Sequence, residues 1–160
     1  MTQRLKLEVV DRRDFVIGAA AATTLAAFFG RIGTASAQDK PPTFDELYKK
    51  LVGDKSPAEG KVSIELPEIA ENGNTVPYSI SVESPMTDAA YVKSVHVMAP
   101  GNPGPTIATF HFTPLSGEAK VSSRMRLAKT QDIVAVAEMS DGSMHVGKRT
   151  VKVTIGGCGG

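Results

Sequence analysis

The segment IVAVAEMSDGSMHVGKRTVKVTI, residues 133–155, contains two runs rich in Val and Ile on either side of Asp141-Gly142. Asp and Gly tolerate the positive φ angles that the central residues of a tight hairpin turn require. In the second run apolar residues alternate with polar ones, which is the pattern of a strand with one buried face. The segment therefore predicts two neighbouring antiparallel strands, 133–139 and 144–155, joined by a tight turn.

The period-two pattern begins at Lys61 and recurs along the rest of the chain. Further candidate strands, each bounded by Gly, Pro, Asn or Asp, cover residues 62–66, 76–82, 91–98, 106–112 and 119–127. Asn72-Gly73 is a second tight-turn signal, and the proline-rich stretch 100–105 predicts a stiff loop because proline cannot donate to a strand ladder. Roughly seven short strands with regular turns predict a mainly β fold, an immunoglobulin-like antiparallel β-sandwich of two sheets over residues 61–155.

The residues before the sandwich, 38–60, are predicted to form a linker and a short helix. Thr43 stands three residues before Glu46, which is the spacing of a capping box at the start of a helix. Apolar residues then recur at helical spacing on one face, which predicts packing on the main body. The residues of this face are Phe44, Leu47 and Leu51. Gly53 is predicted to end the helix.

Residues 1–37 are predicted to be a removable export signal. Arg12-Arg13 precedes an apolar, Ala-rich run, 16–29, and Ala35-Ser36-Ala37 is typical of a cleavage site. The arginine pair indicates the twin-arginine export route. The alternative is an uncleaved membrane anchor, which the run disfavours because it is shorter than the roughly 20 apolar residues needed to span a bilayer. Once the signal is removed, we expect no association with the membrane.

The charges of the chain nearly cancel. The 160 residues include 18 Lys+Arg and 17 Asp+Glu, for a formal net charge of +1. The sequence therefore offers no excess of positive charge to attract nucleic acid or an acidic membrane. It contains one cysteine. In an exported protein a single cysteine cannot close an internal disulfide, so it is either a reactive thiol or the site of an intermolecular disulfide.

That cysteine lies in the C-terminal pentapeptide 156–160, Gly156-Gly157-Cys158-Gly159-Gly160. Glycine visits both signs of φ freely, so the sequence predicts a flexible arm. From Ile155 to Cys158 an extended chain reaches about 10 Å, enough to carry the sulfur from the rim of the sandwich into a pocket of another protein. The flanking glycines supply none of the positive charge that favours a thiolate, so we expect the receiving protein to supply it.

The alternative interpretation of the tail is a frayed terminus with an incidental cysteine. An exposed thiol in an oxidising compartment, however, invites unwanted oxidation and dimerisation. This cost favours a functional role for Cys158.

Other candidates for chemistry are weaker. The three histidines fall on different predicted strands and are expected to be surface or satisfied strand residues; they are His96, His111 and His145. A set near the 141–142 turn that would suit copper consists of Met139, Met144 and His145. A blue-copper site is disfavoured, since in that family a histidine and a methionine follow the cysteine, whereas only two glycines follow Cys158.

A basic set on the last predicted strand is expected to be a solvated face that helps to attract an acidic partner; it consists of Lys148, Arg149 and Lys152. The sequence contains no paired carboxylates, phosphate-binding loop or metal-binding helix motif. We therefore predict no catalytic residue, resident metal or cofactor.

The tail from Val151 to Gly160 resembles the carrier arm of the SoxY family, the sulfur-carrying subunits of bacterial thiosulfate oxidation. The likeness extends over nearly the whole chain after the export signal. The other segments that resemble the family are 70–73, Val76-Pro77, Asn102-Pro103, 110–114, 124–127 and Asp141-Gly142.

The resemblance implies a carrier without enzymatic activity or cofactor, which pairs with a smaller sandwich subunit, SoxZ, in a bacterial periplasm. The family's carrier cysteine corresponds to Cys158, and the flanking glycines correspond to Gly156, Gly157, Gly159 and Gly160. SoxXA, a haem c enzyme, would join thiosulfate oxidatively to the cysteine. SoxB, a manganese hydrolase, would release sulfate, and SoxCD would oxidise the remaining sulfane sulfur before a second hydrolysis.

Two rival functions stay open at this point. One is a carrier that uses Gly159-Gly160 as a thiocarboxylate, although that chemistry needs ATP, which is scarce outside the cytoplasm. The other is an exported assembly or adhesion sandwich that forms an intermolecular disulfide through Cys158.

Overall fold

The structure is a computed structural model that describes residues 41–156. The predicted export signal and the arm residues 157–160 lie outside the described residues. The elements in chain order are α1 (Phe44–Val52), β1 (Ala58–Glu59), β2 (Val62–Glu65), β3 (Ile69–Ala70), β4 (Val76–Val82), β5 (Val92–Met98), β6 (Thr106–His111), a 3₁₀ turn (Pro114–Ser116), β7 (Ala119–Met125), β8 (Gln131–Met139) and β9 (Met144–Val153). Within these residues no helix is long and apolar enough to cross a membrane.

Strands β8 and β9 form the predicted hairpin. They pair antiparallel, with Val136 opposite Val146. At the turn, Gly142 has a φ of 81°, a conformation that glycine adopts without steric cost. The Met139 N–H donates to the Ser143 carbonyl at 2.9 Å. The prediction of a tight Asp-Gly turn between neighbouring strands is confirmed.

The strands form two sheets, which pack against each other through a shared apolar core. The larger sheet has the order β1-β9-β8-β5-β6, with β3 also paired to β9, and the smaller has the order β2-β4-β7. The core includes Ile80 and Tyr78 from the smaller sheet and Val95, Ile133 and Val151 from the larger. The predicted mainly β fold with two sheets and a short helix is confirmed; the immunoglobulin-like designation stays a prediction.

Helix α1 begins with the predicted capping box. The Thr43 hydroxyl accepts from the Glu46 N–H at 3.4 Å, and the Glu46 carboxylate accepts from the Thr43 N–H at 2.8 Å. The helix packs on the outer face of the larger sheet, where Phe44, Tyr48, Leu51 and Val52 join a second apolar cluster with β5, β8 and β9. The predicted packing is confirmed, but the contact face is centred closer to Val52 than predicted. With both faces of the larger sheet covered, β8 is buried almost continuously from Ile133 to Ala137.

Strands β1 and β3 both pair in parallel with β9, β1 near its beginning and β3 near its end. The sequence predicted only antiparallel pairing, and this prediction is wrong for these two strands. Each is two residues long, too short to show any periodicity. Strand β1 also lies before residue 61, where the sandwich was predicted to begin. Between β1 and β3 the chain crosses to the smaller sheet as β2.

Gly147 allows β2 to pass close to β9. A Cβ atom at this position would lie 2.6 Å from the Val62 carbonyl oxygen, which is a backbone atom and cannot rotate away. A glycine at position 147 therefore leaves room for β2 to pass β9 before the chain returns to the edge of β9 as β3.

We expect Gly147→Ala to lower the free energy of unfolding by about 1–3 kcal/mol, the usual cost of forcing an extra methyl into a packed site. Urea denaturation monitored by circular dichroism measures this loss. Lys148→Ala, at the next and exposed position, is the control and is expected to change stability by less than about 0.5 kcal/mol. Equal stabilities of the two variants would contradict the steric explanation.

Candidate functional site

The last described residues form the point from which the arm leaves the sandwich. We call residues 154–156, which are Thr154, Ile155 and Gly156, the arm root. Gly157, Cys158, Gly159 and Gly160 lie outside the described residues. Because Cys158 follows Gly156 by two residues, covalent geometry limits its Cα atom to within about 7 Å of that of Gly156. The position of the arm root therefore limits where the sulfur can go.

The Asn72-Gly73 turn is the first support of the arm root. The Gly73 N–H donates to the Ile155 carbonyl at 2.7 Å, and the Gly73 carbonyl accepts from the Leu127 N–H at 2.8 Å. Asn72 closes the turn by accepting from the Asn74 N–H at 2.9 Å, an Asx turn. The Ile155 side chain is 67% exposed, so backbone bonds rather than packing hold this residue.

Strand β3 and the residue after it support the root along one edge. The Thr154 N–H donates to the Ala70 carbonyl at 3.0 Å. The Thr154 hydroxyl donates to the Glu71 carbonyl at 2.8 Å. These bonds continue the parallel pairing of β3 and β9 beyond the end of both strands.

Thr130 supports the other edge, where the β8–β9 ladder ends. Its hydroxyl accepts from the Val153 N–H at 2.9 Å and donates to the Val153 carbonyl at 3.4 Å. The Thr130 hydroxyl thus takes the place of the backbone N–H and C=O groups of a neighbouring strand. The backbone of β9 is therefore held on both edges as far as the arm root.

Gly156 lies against the Ala128 carbonyl. A Cβ atom at position 156 would be 2.2 Å from the Ala128 oxygen, well inside any tolerable contact. The described structure thus gives a steric reason for glycine at position 156, in addition to the conformational freedom that the sequence suggested.

Asn102 braces the segment that contains Ala128. Its side-chain NH₂ group donates to the Arg126 carbonyl at 2.8 Å, and its side-chain oxygen accepts from the Ala128 N–H at 3.0 Å. The same oxygen accepts from the Gln131 side chain at 3.0 Å. The proline-rich loop 100–105, predicted only as a stiff connection, therefore supports the chain beside the arm root.

Three of the segments that carry the family resemblance meet at the arm root: 70–73, Asn102-Pro103 and 124–127. Sequence reasoning identified Gly73 only as a turn residue and assigned no role to Thr130 or Ala128. Their contacts join positions far apart in the chain, so no local pattern could predict them. The signal that was available for Asn102 was its place between prolines.

Two exposed cations, Arg126 and Lys129, flank Ala128. Neither takes part in an ion pair within residues 41–156, where the ion pair found joins Lys93 and Glu138 at 2.9 Å. These cations therefore belong to the segment that contacts Gly156, and the acidic residue Glu71 belongs to the segment that contacts Thr154. The predicted basic set is exposed as expected; its members are Lys148, Arg149 and Lys152.

His96 and His111 lie on paired strands and interact electrostatically, but the three histidines do not converge on one site. His111 is exposed at the end of β6, as predicted. His145 is buried in β9 with 8% exposure, and its Nδ1 atom has no hydrogen-bond partner among the described residues, so the prediction of a surface or satisfied residue is wrong for His145. Met139 and Met144 belong to the two different apolar clusters on opposite faces of the larger sheet, so the copper set does not converge. Among residues 41–156, no group of three or more His, Cys, Asp or Glu residues is placed to hold a metal.

His96 lies half-buried on the outer face of the larger sheet. Its ring nitrogens lie 3.1 Å from the hydroxyl oxygens of Ser94 and Thr109. Burial lowers the pKa of His96 below its ordinary value of 6.5, with nearby Glu138 acting in the opposite direction and His111 adding to the decrease. The neutral ring is the form that this site favours.

The family model described as "Sulfur oxidation protein SoxY" matches residues 48–158, a range that includes Cys158. The solved structure of the sulfur carrier protein SoxY from Chlorobium limicola f thiosulfatophilum is 33% identical, with a TM-score of 0.58, and the match covers 69% of this chain and 96% of that one. The search of curated proteins found no match.

Superoxide reductases are similar in fold. The protein from Ignicoccus hospitalis has a TM-score of 0.53 at 19% identity, covering 59% of this chain and 80% of that one. The protein from Nanoarchaeum equitans has a TM-score of 0.50 at 13% identity, covering 60% of this chain and 100% of that one. Likeness at such identities concerns the fold and does not extend to activity.

We expect Gly156→Ala to lower the free energy of unfolding by about 1–3 kcal/mol, because the new Cβ must push the Ala128 carbonyl aside. Gly104→Ala is the matched control, since a Cβ there would meet nothing within 4 Å. Thermal and urea unfolding of both variants provide the measurement. If Gly156→Ala were as stable as Gly104→Ala, the close contact would not constrain the arm root.

We expect His96 to make the protein less stable in mild acid. Because the pKa of His96 is lower in the folded state than in the unfolded state, its contribution is complete above about pH 6.5 and declines as the pH falls below that value. The free energy of unfolding, measured in urea at pH 7.5 and pH 5.5, should fall more in the unmodified protein than in His96→Gln. Equal decreases in the two proteins would refute this assignment.

Proposed function

The chain belongs to the SoxY family of sulfur oxidation proteins, and we propose that it is a periplasmic carrier that holds thiosulfate-derived sulfur covalently on Cys158. The observation that carries the proposal is the arm root. The backbone of β9 is hydrogen-bonded up to Ile155, and the cysteine follows only three residues later. A fixed arm root and a short, glycine-rich arm suit the delivery of one sulfur atom to successive partner enzymes.

In the loading step, the Cys158 thiolate and the outer sulfur of thiosulfate form a sulfur–sulfur bond. A thiolate is the nucleophilic form of cysteine. Joining R–S⁻ to S₂O₃²⁻ gives R–S–S–SO₃⁻ and releases two electrons. In our proposal the haem enzyme SoxXA accepts these electrons. The carrier therefore needs no redox group of its own.

The later steps return the cysteine to its starting state. Hydrolysis of R–S–S–SO₃⁻ by SoxB consumes one water and yields R–S–S⁻, sulfate and two protons. SoxCD then oxidises the outer sulfur to R–S–SO₃⁻ with three waters, releasing six protons and six electrons. A second hydrolysis yields R–S⁻, sulfate and two protons. The adducts stay anionic throughout, and the receiving enzymes supply the compensating positive charge.

The remaining parts of the proposal concern assembly and location. Membership of the family supports pairing with a SoxZ subunit and transient docking with the Sox enzymes. Arg12-Arg13 supports export by the twin-arginine route to the periplasm. The catalytic groups for each chemical step belong to the partner enzymes, and this chain presents the substrate to them.

We expect intact mass spectrometry of protein from thiosulfate-fed cells to detect adducts that disappear on reduction and are absent from Cys158→Ser. Deletion of Gly160 is the matched control and is expected to leave the adducts in place. A thiocarboxylate carrier would give the reverse result, losing its adduct with Gly160 and keeping it in Cys158→Ser. An assembly protein would yield disulfide-linked dimers without sulfur adducts, and either result would overturn the proposal.

A further inference from the structure

We propose that Asn102 is a positioning residue for the carrier arm. By fixing the backbone around Ala128, it sets the place from which the chain leaves the sheet toward Cys158. The geometric part of this inference depends only on contacts within the described residues. Its consequence for sulfur loading rests on the carrier function proposed above.

Asn102 holds the neighbouring segment 126–128 through its side-chain amide. Its side-chain amide donates to the Arg126 carbonyl and accepts from the Ala128 N–H, at 2.8 and 3.0 Å. One residue of an adjacent parallel strand would make the same pair of bonds through its own N–H and C=O groups. The side chain of Asn102 therefore acts as one unit of a sheet ladder at a point where no strand is paired with this segment.

The backbone of Asn102 is itself held within the loop 100–105. Its N–H donates to the Ala99 carbonyl at 3.1 Å, and the loop is closed where the Ala99 N–H donates to the Pro105 carbonyl at 2.7 Å. At the preceding position, the Gly101 N–H donates to the Gln131 side chain at 2.6 Å. The prolines of the loop have restricted φ angles, so the brace is fixed at its own base.

The braced segment is linked to the arm root through Leu127 and Ala128, the two residues that Asn102 positions. The Leu127 N–H donates to the Gly73 carbonyl, and the Gly73 N–H donates to the Ile155 carbonyl. The Ala128 carbonyl meanwhile occupies the space beside Gly156 that a side chain would fill. Movement of the braced segment therefore changes both contacts of the arm root.

Cys158 is separated from the arm root by one residue. Covalent geometry limits its Cα atom to within about 7 Å of that of Gly156. A shift of the arm root by a few ångströms is therefore a large fraction of this distance. Misplacement of a reacting group by about 1 Å can cost up to about 100-fold in rate. A displaced root therefore impairs delivery to an enzyme pocket, while the thiol stays equally available to small reagents.

The test compares Asn102→Ala with the unmodified protein and with two further variants. Ile80→Val, in the core of the smaller sheet, provides a loss of stability without a change at the arm root. Asn102→Asp keeps the acceptor for Ala128 but loses the donor to Arg126, and it is expected to behave between Asn102→Ala and the unmodified protein. It also keeps the test decisive if Asn102→Ala does not fold.

The first measurement is amide hydrogen exchange at Gly73 and Leu127. In Asn102→Ala we expect exchange at both amides to be at least about tenfold faster, with an intermediate increase in Asn102→Asp and none beyond the global change in Ile80→Val. Unchanged protection of these two amides in both Asn102 variants would overturn the inference, whatever the function of the chain.

The second measurement is the loading of Cys158 with thiosulfate by SoxXA. We expect kcat/KM for the carrier to fall about tenfold in Asn102→Ala, while the rate of reaction with a small aromatic disulfide stays unchanged. If the unmodified protein takes up no thiosulfate, the proposed function fails and the exchange data alone decide the positioning role. If both proteins load at equal rates, the function stands and the role of Asn102 in delivery is refuted.

Discussion

Backbone pairing of β9 on both of its edges is the constraint on which the rest of the structure depends. Strand β8 occupies one edge, and β1 and β3 occupy the other. A slip of one residue in this register would turn Val151, which is fully buried, to the opposite face and bring Lys152 into the core. The register is therefore fixed by burial, and the side-chain hydroxyl of Thr130 and the peptide group of Gly73 extend it past the end of the strand.

The two layers that cover the larger sheet give this strand a stiff foundation. The smaller sheet buries one face, and helix α1 buries the other around Met98 and Val136. A strand enclosed in this way cannot bend toward solvent without exposing apolar area, at a cost of about 25 cal/mol for each Å². Hydrophobic packing on both faces of the larger sheet therefore fixes the strand that leads to the arm root.

Sequence reasoning succeeded where the determining residues are close together in the chain. The β8–β9 hairpin and the capping box at Thr43 each depend on a few neighbouring positions, so their patterns are visible in the sequence. The contacts of Asn102 and Thr130 span 23 to 29 residues, and no short pattern encodes such partners. The parallel strands β1 and β3 were missed because two residues have no period. Cys158 was identified because it is the one cysteine of the sequence and lies in a glycine-rich tail. No structural pattern was needed to find it.

The chemical nature of the clamp around the arm root has a consequence for the conditions of sulfur oxidation. Peptide groups, one carboxamide and two hydroxyls make the hydrogen bonds that hold it, and none of these groups gains or loses a proton at ordinary acidity. In the proposed cycle, each hydrolysis of a bound sulfonate yields sulfate and protons, so the reaction would acidify the surroundings of the carrier. Hydrogen bonds between neutral groups keep the same geometry as the pH falls. A clamp made of carboxylates would loosen, because the carboxylates would become protonated as acid accumulates.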